Sequence, residues 1–166
     1  GILGWQLDED RVAVHVPMSG SPDTPVDGTP HIAATPLIDA FGRRITYLRL
    51  SVTDRCDLRC RYCMKARPEF LPKSEVLTLE ELEQVALAFV ARGVTKIRVT
   101  GGEPLVRRDV ITLIERLGDR LGAGLEELCL TTNATRLEEF APRLAAAGLK
   151  RVNVSLDTLD PKTYHA

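Results

Sequence analysis

The sequence carries almost no net charge: 22 Lys and Arg stand against 23 Asp and Glu, a balance of −1. Nothing in that balance draws the chain toward nucleic acid or an anionic membrane surface. No uninterrupted apolar run approaches the roughly 20 residues of a membrane-spanning helix. The N-terminal residues lack the basic start and apolar stretch of a secretory signal. Four cysteines in 166 residues are too few and too clustered for a secreted disulfide framework. Histidine is also scarce, and His15, His31 and His165 have no zinc-knuckle spacing. These absences lead us to expect a cytoplasmic globular protein about one domain long, with no nucleic-acid or membrane partner. The hydrophobic share of 44% and charged share of 27% are ordinary for such a protein.

What is present is concentrated. Three of the four cysteines, Cys56, Cys60 and Cys63, lie within eight residues at Cys-x3-Cys-x2-Cys spacing. Thiolates gathered this tightly suggest a metal or an iron–sulfur cluster, yet the set is one ligand short of the usual four. The spacing alone leaves open a site with one free metal position, a disulfide, or a zinc site completed from a distance. Between Arg43 and Arg67 eight basic residues face two acids, Asp54 and Asp57. Such a zone suits an anionic ligand and favours thiolate over thiol, although any single arginine there reads equally as part of a solvated face.

Along the chain, residues 1–36 read as a flexible lead-in, with five of the ten prolines between Pro17 and Pro36. A short strand at Arg11–Val16 ends at Pro17. From residue 37 a strand–helix rhythm begins. Strands are expected at 45–52, 96–100, 125–130 and 151–155. The first helix opens on the capping box Thr78-x-x-Glu81, carries Leu82, Val85, Ala86 and Phe89 on one face, and stops at Gly93. The second presents Val110, Leu113, Ile114, Leu117 and Leu121, and the third Leu137, Phe140, Ala141 and Leu144. Another helix would start near Ala166. The repeat predicts an α/β fold of parallel strands joined by right-handed crossovers, in which the loops after the strands hold the ligand.

The unusual residues fall in those loops. The cysteines follow strand one, Gly101-Gly102-Glu103-Pro104 follows strand two, Thr131-Thr132-Asn133 follows strand three, and Ser155-Leu156-Asp157 follows strand four. The glycines are either turn punctuation or a close approach of backbone to a ligand. Thr131, Thr132 and Asn133 either cap the next helix or meet a ribose or phosphate. Arg49 and Arg98 interrupt apolar strands, so an inward guanidinium facing an anion is expected. Cys129 reads as a small buried hydrophobe, with a distant fourth ligand as the other reading.

The Cys56-x3-Cys60-x2-Cys63 spacing resembles the signature of the radical S-adenosylmethionine enzymes, and Gly101-Gly102-Glu103-Pro104 resembles their Gly-Gly-Glu-Pro motif. Longer strings, Leu48 to Cys56, Ile97 to Leu105, Leu130 to Asn133 and Asn153 to Asp157, resemble the MoaA family of GTP 3′,8-cyclases of molybdenum cofactor biosynthesis. The resemblance covers about residues 37–166, the N-terminal part of a radical SAM core, and leaves the Pro-rich start unmatched. It implies a partial (βα) barrel in which Cys56, Cys60 and Cys63 hold a 4Fe–4S cluster whose fourth iron binds S-adenosylmethionine. Tyr62, Gly102 and Ser155 match S-adenosylmethionine contacts, and Arg49, Arg98 and Thr131 match GTP contacts. The implied reaction takes hydrogen from C3′ of GTP and joins that carbon to C8 of guanine.

The resemblance also implies a reductant protein, a homodimer, a downstream pterin-forming enzyme, and a second 4Fe–4S cluster in a C-terminal region that this sequence does not contain. Lys65 stands where the family has proline and Ala134 where it has glycine. The expectation is that four strands leave the barrel open, and that the isolated chain turns over GTP poorly or not at all. Another radical SAM enzyme sharing this core, or a non-catalytic metal-binding fragment, are the alternative readings.

Overall fold

The computed structural model describes residues 35–65 and 67–160. The Pro-rich segment apart from Thr35 and Pro36, the strand at Arg11–Val16 and the helix near Ala166 lie outside the described residues. Four parallel strands, β1 (Tyr47–Ser51), β2 (Lys96–Thr100), β3 (Glu127–Thr132) and β4 (Arg151–Val154), form one sheet in sequential order. They alternate with α1 (Leu79–Ala91), α2 (Val110–Gly118) and α3 (Leu137–Ala146). The sheet is open, as expected of a partial barrel. Among the described residues no helix is long and apolar enough to cross a membrane.

Strand alternation sorts the sheet into two unlike faces. Leu48, Leu50, Ile97, Val99, Leu128, Leu130 and Val152 point to one side. They pack with Leu82, Ala86, Val110, Leu113, Ile114, Leu117 and Leu144 from the helices in a single core. The opposite face is polar. The register sets Arg49 beside Arg98, Arg98 beside Cys129, and Cys129 beside Arg151, with Tyr47, Lys96 and Glu127 in the row below. A sheet with helices on one side and charge on the other keeps its ligand surface on the polar side.

The capping box is made as the sequence requires: Glu81 N donates to Thr78 Oγ1 at 3.1 Å and Thr78 N to Glu81 Oε2 at 2.7 Å. Three local expectations are corrected. The third strand runs two residues later than 125–130. Leu125 is taken by a bridge to Leu121 that closes the Gly122–Gly124 turn, while Thr131 and Thr132 pair with Asn153 and Val154. Helix α2 ends at Gly118, so Leu121 reaches the core from that turn instead. Val85 is exposed on α1, and Leu79 and Val90 flank the core in its place.

Candidate functional site

All four loops at the carboxyl ends of the strands are tied together by hydrogen bonds. The β1–β2 ladder continues past the strands. Val52 N donates to Thr100 O at 2.9 Å, Gly102 N to Thr53 O at 2.8 Å, and Glu103 N to Arg55 O at 2.8 Å. Gly101 and Gly102 make this approach feasible. A Cβ on Gly101, whose φ is +151°, would lie 2.5 Å from Thr53 O, and one on Gly102 would lie 2.4 Å from Arg55 O. The two glycines thus allow the second loop to lie against the stem of the cysteine loop. Gly102 itself remains exposed.

Glu103 is fully buried and joins the second loop to the third. Its Oε1 accepts from Leu105 N at 2.9 Å and Thr132 Oγ1 at 2.8 Å, and its Oε2 accepts from Asn133 N at 2.6 Å. All three partners donate, which suits a group that only accepts. Asn133 then reaches the cysteine loop, with its Nδ2 2.7 Å from Asp57 Oδ1 and 3.8 Å from Cys56 Sγ. Thr135 Oγ1 donates to Asp57 Oδ2 at 2.6 Å. The donated bonds of Thr135 and Asn133 hold the Asp57 carboxyl below its ordinary pKa, against the opposing effect of its burial. The fourth loop joins through Ser155 N, which donates to Thr132 O at 2.8 Å, and through Asp157, whose carboxylate accepts from the Tyr62 hydroxyl at 2.9 and 3.0 Å. Asp157 pushes the Tyr62 hydroxyl pKa up.

Within the cysteine loop, Cys63 N and Met64 N both donate to Cys60 O at 3.0 Å, forming a turn, and Leu58 N approaches Cys56 Sγ at 3.4 Å. The Arg59 guanidinium donates to the carbonyls of Cys56 and Leu58 at 2.7 and 2.8 Å and, with Arg55, lies over Phe70. Asp54 accepts from Leu71 N at 2.7 Å, fastening the far end of the loop to its start. The Arg107 guanidinium donates to Val52 O and Leu77 O from the helix side. Part of the basic zone thus serves the loop's own carbonyls. All four cysteines are free thiols, so the disulfide alternative is not formed. Among the described residues no three His, Cys, Asp or Glu side chains stand grouped to hold a metal ion. The donor chemistry nevertheless fits an iron–sulfur cluster: three unpaired thiols on one short loop, two half-buried and one exposed.

Below the loops, the polar face carries Arg49, Arg98 and Thr131. Arg49 is exposed, whereas Arg98 and Thr131 are half-buried. Arg98 Nε and Thr131 Oγ1 are both buried without a hydrogen-bond partner. A buried donor left unpaired costs about 1–3 kcal/mol. Two on the same face, two residues apart along neighbouring strands, mark a surface shaped for a ligand.

Five residues show features that their sequence reading does not contain. Cys129 is fully buried but lies outside the apolar core, on the polar face between Arg98 and Arg151, with its Sγ 3.1 Å from Glu127 Oε1. Burial and Glu127 push its thiol pKa up. Asn133 does not cap α3, whose N-cap position is Arg136. Its Oδ1 instead accepts from Thr135 N at 3.0 Å. Ala134 adopts φ 67°, the left-handed region that favours glycine, at a cost of about 1 kcal/mol. The sequence alone assigns no role to Glu103 or Asp57, although an acid directly after a Gly-Gly turn and one between two cysteines are visible signals.

The model of the Radical SAM superfamily matches residues 50–166. The chain is 66% identical over 133 residues to a GTP 3′,8-cyclase of Erythrobacter litoralis (strain HTCC2594), covering 80% of this chain and 40% of the relative. It is 59% identical over 131 residues to a GTP 3′,8-cyclase of Rhizobium leguminosarum bv. trifolii (strain WSM2304), covering 79% and 38%. It is 56% identical over 151 residues to one from Caulobacter vibrioides, covering 90% and 43%. The chain thus spans about 40% of the length of the curated relatives it matches. With three clustered thiols, a Gly-Gly-Glu-Pro loop and the family model all falling on one open parallel sheet, the chain belongs to the radical SAM superfamily.

Proposed function

We propose that this chain is the N-terminal part of a GTP 3′,8-cyclase acting in the cytoplasm, in molybdenum cofactor biosynthesis. Membership of the superfamily implies a 4Fe–4S cluster and S-adenosylmethionine, and Cys56, Cys60 and Cys63 are the residues that would hold the cluster. When bound, the cluster supplies the electron that cleaves S-adenosylmethionine. Tyr62, Gly102 and Ser155, on three of the linked loops, would hold S-adenosylmethionine. Arg49, Arg98 and Thr131, on the polar sheet face, would bind GTP, the guanidinium groups answering its negative charge.

The observation that carries the reading is the pair of unpartnered buried groups, Arg98 Nε and Thr131 Oγ1. They offer donors where an anionic, hydroxyl-bearing ligand would satisfy them. A second 4Fe–4S cluster in a further part of the protein, a reductant protein, a homodimer and a downstream pterin-forming enzyme complete the proposal. The test is GTP binding to the anaerobically reconstituted chain with S-adenosylmethionine present, measured by equilibrium dialysis against labelled nucleotide. Arg98→Met is expected to weaken binding at least about tenfold, or about 1.4 kcal/mol. Equal binding by the variant and the parent chain would overturn the assignment of the polar face to GTP.

A further inference from the structure

The contact between the third loop and the cysteine loop has no role in the reading above. Asn133 and Asp57 are 76 residues apart in sequence, so their contact is a product of the fold. Every polar atom of the Asn133 side chain is engaged. Oδ1 accepts from Thr135 N at 3.0 Å, and Nδ2 donates to Asp57 at 2.7 Å while standing 3.8 Å from Cys56 Sγ. Its backbone N–H is held by buried Glu103. The amide is therefore fixed from behind, and Glu103 is anchored in turn through Thr132. Asp57 Oδ1 lies 3.8 Å from the same sulfur. Cys56 Sγ thus sits between a neutral donor delivered by β3 and a carboxylate from its own loop.

We infer that Asn133 is a positioning residue for Cys56: it holds the cysteine loop against the end of β3 through Asp57 and presents an N–H to the sulfur of one cluster ligand. The inference rests on the proposal that Cys56 binds iron. Hydrogen bonds to cluster sulfurs and nearby charge are among the protein's means of setting a cluster's reduction potential. A donor on a ligand sulfur favours the reduced, more negative cluster, and a carboxylate at similar range opposes it. The two side chains should therefore act with opposite signs on one sulfur.

The test uses the anaerobically reconstituted 166-residue chain, with iron and sulfide content measured for each variant and the potential read by redox titration followed by electron paramagnetic resonance. Asn133→Leu, which keeps the volume and removes the donor, should move the potential negative by up to about a tenfold change in the reduction equilibrium, roughly 59 mV for one electron. Asp57→Asn should move it positive. Shifts of opposite sign at equal cluster content support the inference. No shift, or shifts of the same sign, overturns it, because a purely structural role has no reason to separate the two.

A second measurement needs no cluster. In the metal-free chain, Asn133→Ala should speed amide hydrogen exchange across residues 56–60 several-fold while leaving β2 and β3 protected. Unchanged exchange in that loop would overturn the inference by itself. Whether the cysteines bind iron is read separately from cluster content, so failure of that proposal and failure of this inference are distinguishable.

Discussion

Replacing Glu103 with alanine is expected to destabilise the chain by at least about 3 kcal/mol. The estimate follows from the two backbone N–H groups and one hydroxyl left facing an empty, water-excluded site, at about 1–3 kcal/mol for each unsatisfied group. Those groups, on Leu105, Asn133 and Thr132, are held by a residue with no solvent exposure, so water cannot simply replace the carboxylate. Glu103→Gln keeps the shape but turns an NH2 toward one of the three donors, and should cost about 1–3 kcal/mol. Urea denaturation read by circular dichroism separates the two variants through a fall in midpoint with little change in slope. A loss below about 1 kcal/mol for the alanine variant would mean that the second and third loops are held by something other than this carboxylate.

Gly102→Ala is the second large expectation. The added methyl would meet Arg55 O at 2.4 Å, Arg55 C at 2.7 Å and Asp54 O at 2.8 Å, all main-chain atoms that no rotamer change can move. The stem of the cysteine loop must separate from the second loop, losing the bonds from Gly102 N to Thr53 O and from Glu103 N to Arg55 O. Forced overpacking of this kind costs about 1–3 kcal/mol, and the two lost bonds add about 0.5–1.5 kcal/mol each. Because the displaced segment leads directly into Cys56, iron uptake on reconstitution should fall along with thermal stability, and both are measurable on one preparation. A variant that folds and takes up iron like the parent would contradict the tight contact.

Much of this arrangement was legible in the sequence because its causes are local. The Thr78–Glu81 box sets a helix start within four residues. Alternation in Lys96–Thr100 sorts Ile97 and Val99 from Arg98, and the strand–helix repeat predicts that four loops meet at one end. The cysteine spacing, the Gly-Gly-Glu-Pro loop and the long matching strings carried the family.

What escaped depends on partners distant in the chain. Nothing near Glu103 reveals that it turns inward to Thr132 and Asn133, about 30 residues away, and nothing near Asp57 reveals Asn133 or Thr135. Asn133 had the composition of a helix cap, but the tertiary contact with the cysteine loop outweighed that local preference, leaving the cap position to Arg136. Cys129 had the character of a core residue, yet strand register put it among arginines, because a shift of one position decides which face a side chain joins. For the glycines, the sequence does not reveal the carbonyls of Thr53 and Arg55 as their close neighbours.

The central claim is that the three thiols of the loop after β1 hold an iron–sulfur cluster. Iron and acid-labile sulfide, counted per chain after anaerobic reconstitution, test it most directly, with a variant in which Cys56, Cys60 and Cys63 are all replaced by serine as the comparison. The account predicts about four irons and four sulfides in the parent chain, and almost none in the variant even though Cys129 is retained. Bound zinc without sulfide, or iron and sulfide uptake that survives the loss of all three thiols, would contradict it.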